Sequence, residues 1–434
     1  MKIGVIGCGY VFDHYMTTLP RHPGLVIAGV TDLNRDRAET VGRFYGLRHY
    51  ATTEDMLADP GIGIIANFTS IEAHHQVSRA ALLAGRHVYS EKPLAMTMDQ
   101  ARDLADLAQA QGLRLSCAPS NALSATVQTL WKIVADGAIG TPRMVYAEFD
   151  DNPVYRLKPE TWRSRSGAPW PYLHEYEMGC TWEHAGYHLG WLCAIFGPVR
   201  AVTAFSKVTL PDKTDRPLHP ADTPDFSVAS LDFHSGVVAR LTFSIAAPTD
   251  HRMRIIGDSG VASADTYRDY DCPVRLEPFD PLTLKARNMR SVRTNSLLQR
   301  PFGVGGRRVP LAPAVHPGDA AARAFDGPAW SPKTWARRLR RAQFGQQDKC
   351  AGLVELVAAI REDRPHFPAP DFTLHVTELT FAIQSAGPDG ATQQMRTTFA
   401  PLPLPPSTAA GAPDYRELAR PPLPARLLSA IRRH

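Results

Sequence analysis

A chain of 434 residues exceeds what one hydrophobic core usually organises, so two domains are expected. Its composition, 44% hydrophobic and 21% charged, is ordinary for a globular protein, and no apolar run nears the roughly 18 residues that span a bilayer. The net charge of +5 is uneven: residues 282–341 carry thirteen Lys or Arg against two Asp, which leaves the remainder net acidic.

Met1 and Lys2 lead straight into the apolar run Ile3-Gly4-Val5-Ile6, so a cytoplasmic chain without a leader is expected. The run suits a buried parallel strand. It enters Gly7-Cys8-Gly9-Tyr10-Val11-Phe12. Gly7 permits a tight turn and Gly9 lets the backbone approach a pyrophosphate. Tyr10 and Val11 open a helix whose N–H groups point at the phosphates. Phe12 replaces the third glycine of G-x-G-x-x-G, a position that governs helix–strand packing. A second strand at 25–30 ends in Thr31-Asp32, where an acidic side chain would take the ribose hydroxyls. Asp32 favours NAD, since a carboxylate repels a 2′-phosphate, while Arg35 keeps NADP open.

Further strand and helix signals alternate: a strand at 62–68 followed by Thr69, and a helix at 73–84 that includes His74 and stops at Gly85. A strand at 87–90, a helix at 99–111 and a strand at 113–118 follow. This alternation implies a parallel sheet covered on both faces. Glu91-Lys92-Pro93 sits directly after a strand, on the side where open α/β sheets bind ligands. A lysine there reaches a substrate hydroxyl, and its bond to Pro93 is a candidate cis peptide; a surface lysine before a helix is the bland alternative.

Beyond residue 122 the strands alternate as in an antiparallel sheet, at 144–149, 199–206, 226–233 and 237–245. Asp258-Ser259-Gly260 is read as a hairpin turn between strands at 251–256 and 261–264, not as a nucleophile loop. The turn-rich stretch 162–170 carries Arg163 and Arg165, which suit an anionic or polyhydroxylated substrate if the loop covers a cleft. Residues 181–196 read as a helix, with His184, His188 and Trp191 along one stripe. His-x-x-x-His on a helix can bind zinc, but the glutamate precedes the first histidine and no third ligand is evident, so no metal is expected. The six cysteines contain no C-x-x-C pair and read as buried thiols in a reducing compartment.

Taken together, the motifs resemble the glucose–fructose oxidoreductase / inositol dehydrogenase / MocA (Gfo/Idh/MocA) family. They are Gly7-x-Gly9, the segment from His74 to Gly85-Arg86-His87-Val88, Glu91-Lys92-Pro93, and Gly186-x-His188 with Phe196-Gly197-Pro198. The resemblance covers residues 1 to about 266 and resumes at about 346–388. It implies an α/β chain: a Rossmann domain at 1–122, and a substrate and oligomerisation domain at 123–399 on an open, mostly antiparallel sheet. It implies NAD(P)-linked hydride transfer to or from a secondary hydroxyl or ketone of a sugar, cyclitol or nucleotide-sugar, and a homodimer or homotetramer. Lys92 and His188 then flank the reacting oxygen, with Glu91, Thr69 and His74 on the cofactor side and Arg163, Arg165 and Trp191 on the substrate side.

One departure stands out. The family pattern has Asp four residues before the catalytic histidine, and here that residue is His184, with Glu183 turned about 100° away around the helix. Glu175 or Glu177 is a substitute source of negative charge. The departure keeps a catalytically impaired NAD(P)-binding regulator in view, and the resemblance also admits a reductase of a C=N or enone group. Residues 267–345 fall outside the resemblance and hold the basic stretch, with Trp330, Trp335 and Arg337-Arg338-Leu339-Arg340-Arg341. A solvated excursion, a grip on a phosphorylated substrate, and contact with nucleic acid or membrane compete for it, the last the least favoured. Residues 400–434, rich in Pro, Ala and Arg, are expected to be a flexible tail.

Overall fold

The computed structural model describes residues 1–266, 270–280, 284, 286–319 and 347–431. Among them two sheets form. The first is parallel, with β1 (Lys2–Ile6), β2 (Ile27–Thr31), β3 (Arg48–His49), β4 (Ile62–Asn67), β5 (His87–Ser90) and β6 (Leu115–Cys117) in the order β3-β2-β1-β4-β5-β6. The chain reverses direction across the sheet between β1 and β4, so the crevice for a ligand opens at the carboxyl ends of those strands. Helices cover both faces. Ile3, Val5, Phe12 and Tyr15 are buried on one side, and Ile62, Ile65, Leu104 and Leu115 on the other.

The second sheet has β7 (Pro142–Asp150), β8 (Val199–Lys207), β9 (Phe226–Phe233), β10 (Val238–Ser244), β11 (Met253–Gly257), β12 (Gly260–Ala264), β13 (Val274–Pro278), β14 (Arg307–Arg308) and β15 (Ala391–Gln394). Their order is β14-β13-β12-β11-β7-β10-β9-β8-β15. Pairing is antiparallel except between β7 and β10. The 258–260 turn joins β11 to β12 as a hairpin, and Asp258 accepts two bonds from Arg143 at 2.8 and 2.9 Å. The Cys180–Phe196 helix and the Pro370–Gln384 helix pack together over this sheet. All six cysteines are free and buried.

Two expectations about organisation are corrected. The Ala351–Arg361 helix, assigned to the second domain, covers the first one: Leu353, Leu356 and Val357 share a core with Tyr15 and Tyr89. Gly352 allows that approach, since a Cβ there would lie 2.5 Å from the Tyr89 hydroxyl. The segment from 400 is not a free tail either. Tyr415 is fully buried and donates to the Pro310 carbonyl at 2.8 Å, while Thr408 donates to Gln128 Oε1 at 2.5 Å. The few large apolar side chains of a Pro-rich segment suffice when each meets a prepared site. The basic region is only partly described. It supplies β13, β14 and the short helices Ala286–Thr294 and Ser296–Phe302, whereas Trp330, Trp335 and Arg337–Arg341 lie outside the described residues.

Tyr415 generates a stability test. Tyr415→Ala is expected to lower stability by about 3 kcal/mol or more through cavity formation, and Tyr415→Phe by about 1 kcal/mol through loss of one hydrogen bond. Urea unfolding of the full chain measures both. Equal midpoints for wild type and Tyr415→Ala contradict the packed tail.

Candidate active site

The glycine turn sits at the end of β1. Gly7 has φ +100°, and a Cβ there would meet the Phe68 backbone at 2.5 Å, so glycine is required. Gly9 differs: a Cβ would meet nothing within 4 Å. It is the N-cap of α1 (Tyr10–Thr18), and no side chain caps that end. Open space in front of uncapped N–H groups fits a pyrophosphate. Asp32, just past β2, accepts from the backbone N–H of Cys8 at 2.7 Å and of Asn34 at 2.8 Å. These bonds fix the carboxylate beside the glycine turn. Arg35 is exposed at the start of α2 (Arg35–Tyr45). Two turns of backbone thus suit a dinucleotide, and the residues present fit NAD.

Thr69 stands beside the glycine turn, where a Cβ on Gly7 would lie 2.6 Å from its backbone N, whereas His74 acts on the chain behind the crevice. The His74 ring is buried between the Pro93 carbonyl at 2.7 Å and the Thr69 carbonyl at 3.2 Å. Burial lowers its pKa. His74 therefore ties the loop after β4 to the cis Lys92–Pro93 peptide after β5. The 162–170 loop docks on the cofactor half of the first domain. Ser166 donates its N–H and hydroxyl to Asp13 Oδ2 at 3.0 and 2.7 Å, and Arg37 donates to the Ser166 carbonyl at 2.8 Å and to the Cys8 carbonyl at 2.7 Å. Burial would raise the Asp13 pKa, but hydrogen bonds from Ser164, Tyr45 and Ser166 lower it. Arg165 lies near Tyr45 on this side, and Arg163 donates to the carbonyls of Glu160 and Trp162 in its own loop. Neither arginine is placed at Lys92.

Lys92 is nearly buried and forms an ion pair with Glu183 of the Cys180–Phe196 helix. Burial alone would lower its pKa, but Glu183, then Tyr187, Glu175 and Glu91, hold it above the ordinary lysine range. Glu183 and Tyr187 are four residues apart and share a helix face. Tyr187 accepts a 3.0 Å hydrogen bond from Lys349 Nζ. Lys349 also lies 3.8 Å from Glu91, whose Oε1 accepts from the Tyr15 hydroxyl at 2.7 Å. Burial would raise the Glu91 pKa, but Lys349, Lys92 and the Tyr15 bond bring it below the ordinary value. The cluster at the crevice is thus Lys92, Glu183, Tyr187, Lys349 and Glu91.

The expected base and its stripe are elsewhere. His188 is fully buried, with Nε2 2.8 Å from the Glu148 carbonyl and Nδ1 accepting from the Trp191 indole at 3.1 Å. An indole N–H only donates and a carbonyl only accepts, so the ring is neutral with its proton on Nε2. Both nitrogens are committed to the fold, and Trp191 is buried with no exposure to a cleft. His184 stacks on Phe149 with centroids 4.4 Å apart, and its Nε2 lies 3.4 Å from Glu175 and 3.6 Å from Asp151. The expected stripe of His184, His188 and Trp191 is not the one that pairs with Lys92; the helix is buried almost all round, so no polar face orients it.

With that geometry described, known proteins can be compared. Residues 1–118 match the family described as oxidoreductase family, NAD-binding Rossmann fold, and residues 127–263 match the GFO/IDH/MocA C-terminal domain. Glucose-6-phosphate 3-dehydrogenase of Bacillus subtilis (strain 168) is 26% identical over 38% of the chain and 47% of its own length. Inositol 2-dehydrogenase 3 of Saccharopolyspora erythraea is 30% identical over 41% of the chain and 52% of its own length. The chain thus spans about half the length of these two curated relatives. The WlbA dehydrogenase from Bordetella pertussis, solved with NADH and UDP-GlcNAcA, superposes with a TM-score of 0.63 at 18% identity. That match covers 91% of this chain and 97% of the other.

Two outcomes are expected. Gly9→Leu should fold normally but weaken NADH binding by about tenfold or more in a fluorescence titration, since its side chain enters the pyrophosphate space; unchanged affinity contradicts the assignment. His188 has its pKa pushed down to about 3 by burial. Below its unfolded value of about 6.5 the unfolded chain binds a proton that the native state refuses. Stability therefore falls as pH drops from about 6.5 toward 3, by up to about 1.4 kcal/mol per pH unit from this residue. His188→Gln should flatten the slope of urea midpoint against pH between those limits.

Proposed function

The chain belongs to the Gfo/Idh/MocA oxidoreductase family with an NAD-binding Rossmann domain, and from that premise we propose that it oxidises a secondary hydroxyl, or reduces the matching ketone, of a sugar, cyclitol or nucleotide-sugar. The observation that carries this reading is the meeting of Lys92, from the first domain, with Glu183 and Tyr187 of the second. The group that moves the substrate proton is Tyr187, in place of His188.

Gly7, Gly9, the N-terminus of α1 and Asp32 hold the dinucleotide. Bound NAD supplies the hydride acceptor or donor. Lys92 stays protonated beside Glu183 and donates a hydrogen bond to the reacting oxygen, stabilising negative charge there. In the oxidative direction the substrate hydroxyl proton passes to Tyr187 in its phenolate form; in the reductive direction the Tyr187 phenol returns it and is left as phenolate. Glu183 keeps the ammonium aimed and charged. The near-complete burial of Tyr187 keeps water from the proton it transfers. The regulator reading rested on His184 replacing a carboxylate, and Glu183, one residue earlier, supplies that charge.

The test is NADH absorbance with glucose 6-phosphate, myo-inositol and a UDP-N-acetylhexosamine. Lys92→Met and Tyr187→Phe should each lower kcat/KM by about 100-fold or more. His188→Gln should remain within about tenfold of wild type. NADH binding without turnover of any substrate, or full activity in Tyr187→Phe, overturns the proposal.

A further inference from the structure

Lys349 has no part in the roles given above, yet it is a buried cation placed on the phenol oxygen of Tyr187. Its Nζ lies 3.0 Å from that oxygen and 5.4 Å from the ring centroid. It comes from the turn that follows the undescribed stretch 320–346 and precedes the Ala351–Arg361 helix. That turn is anchored to the first domain. Asp348 accepts from, or pairs with, His22 at 2.7 Å and lies 3.6 Å from Arg21, and its other oxygen accepts from the Cys350 N–H at 3.2 Å. The thiol of Cys350 donates to the Tyr15 carbonyl at 3.4 Å. The lysine is therefore held from below by a packed helix, not presented by a mobile side chain.

We propose that Lys349 is a positioning residue for Tyr187: its ammonium fixes the phenol oxygen and biases it toward the phenolate. The inference rests on the reading of Tyr187 as the proton-transfer group. Three observations carry it. First, Lys349 can only donate, so the oxygen of Tyr187 is the acceptor and the phenol proton is directed away from Lys349. Second, a cation donating to a phenol oxygen favours the charged form of that phenol; burial opposes that form, but it also strengthens the attraction to the ammonium, which is in direct contact. Third, Glu91 lies 3.8 Å from the same ammonium and is itself bonded by Tyr15, so Lys349 has a counter-charge that keeps it protonated. Burial would lower the Lys349 pKa, but Tyr187 and Glu91 raise it above the ordinary value.

Among the described residues, the other groups around Tyr187 do not cancel this bias. Lys92 from the loop after β5 adds a second positive charge, partly neutralised by Glu183 on the same helix. Tyr270, from the segment before β13, is a buried phenol whose own pKa burial pushes up, so it stays neutral. Phe149 of β7 meets the Tyr187 ring at 5.8 Å, and Asn121 donates to the Tyr187 backbone carbonyl at 2.6 Å, which holds the helix in register. When Tyr187 ionises, its proton leaves to solvent or, in turnover, is replaced by the proton of the substrate hydroxyl.

The experiment is an ultraviolet titration of phenolate in the cofactor-free protein, which needs no substrate. The chain has 13 tyrosines, so Tyr187 is isolated as the difference between wild type and Tyr187→Phe. The same difference is taken in Lys349→Gln and Lys349→Arg backgrounds. The expected result is ionisation of Tyr187 below the ordinary tyrosine value of about 10. It should move up by about one pH unit or more in Lys349→Gln and return most of the way in Lys349→Arg. Circular dichroism checks that each variant folds. If Lys349→Gln does not fold, Lys349→Arg alone decides, because it should keep the low value. A Tyr187 that titrates alike with and without the charge, or at the ordinary value in wild type, overturns the inference. Full turnover by Tyr187→Phe would instead remove the functional reading beneath it, whatever the titration gives.

Discussion

A buried ion pair between Lys92 and Glu183 is the constraint on which the site depends. Its two side chains are 16% and 11% exposed and belong to different domains. Stripping water from two charges costs several kcal/mol each, and the pair is tolerated only when geometry and neighbours compensate. Here the compensation is a second oppositely charged pair, Glu91 with Lys349, whose members both act on Lys92 or its neighbours. Two ammoniums thus face two carboxylates, and Glu175 adds further negative charge toward Lys92. Moving any one of them would strand its partner, so the relative placement of the two domains is tied to the chemistry of the crevice.

That coupling explains why so many parts of the chain converge on one place. The cis Lys92–Pro93 turn is braced by His74, which reaches back to the loop after β4. The Ala351–Arg361 helix crosses from the second domain to cover the first sheet and carries Lys349 at its entrance. The 162–170 loop closes the opposite side by bonding Asp13 and Arg37 next to the glycine turn. The two sheets are thus tied across the crevice by one chain crossing, the Ala351–Arg361 helix, and by the hydrogen bonds of the 162–170 loop.

The Cys180–Phe196 helix shows how buried polar groups divide their labour. One side satisfies the fold: His188 bridges Glu148 and Trp191, and His184 lies on Phe149 beside Glu175 and Asp151. The other side presents Glu183 and Tyr187 to the first domain. A histidine with both nitrogens bonded to carbonyl and indole has its one ring proton held in the fold, however well its spacing matches a catalytic motif.

Much of the first domain was legible from local rules. Gly7 and Gly9 in their turn, Asp32 after its strand and Glu91-Lys92-Pro93 after β5 are each specified by neighbours within a few residues, because turn conformation and strand period are local properties. The hairpin at 258–260 was readable for the same reason. The face of the Cys180–Phe196 helix that meets the crevice was not. Its residues are apolar or buried on every side, and only the arrival of Lys92 from 91 positions earlier distinguishes Glu183 and Tyr187 from His184 and His188. The placement of Lys349 and the docking of the segment beyond 400 were invisible for a related reason. Each depends on a partner more than 100 residues away in the chain, and the free energy of such contacts is set by packing that no local window contains.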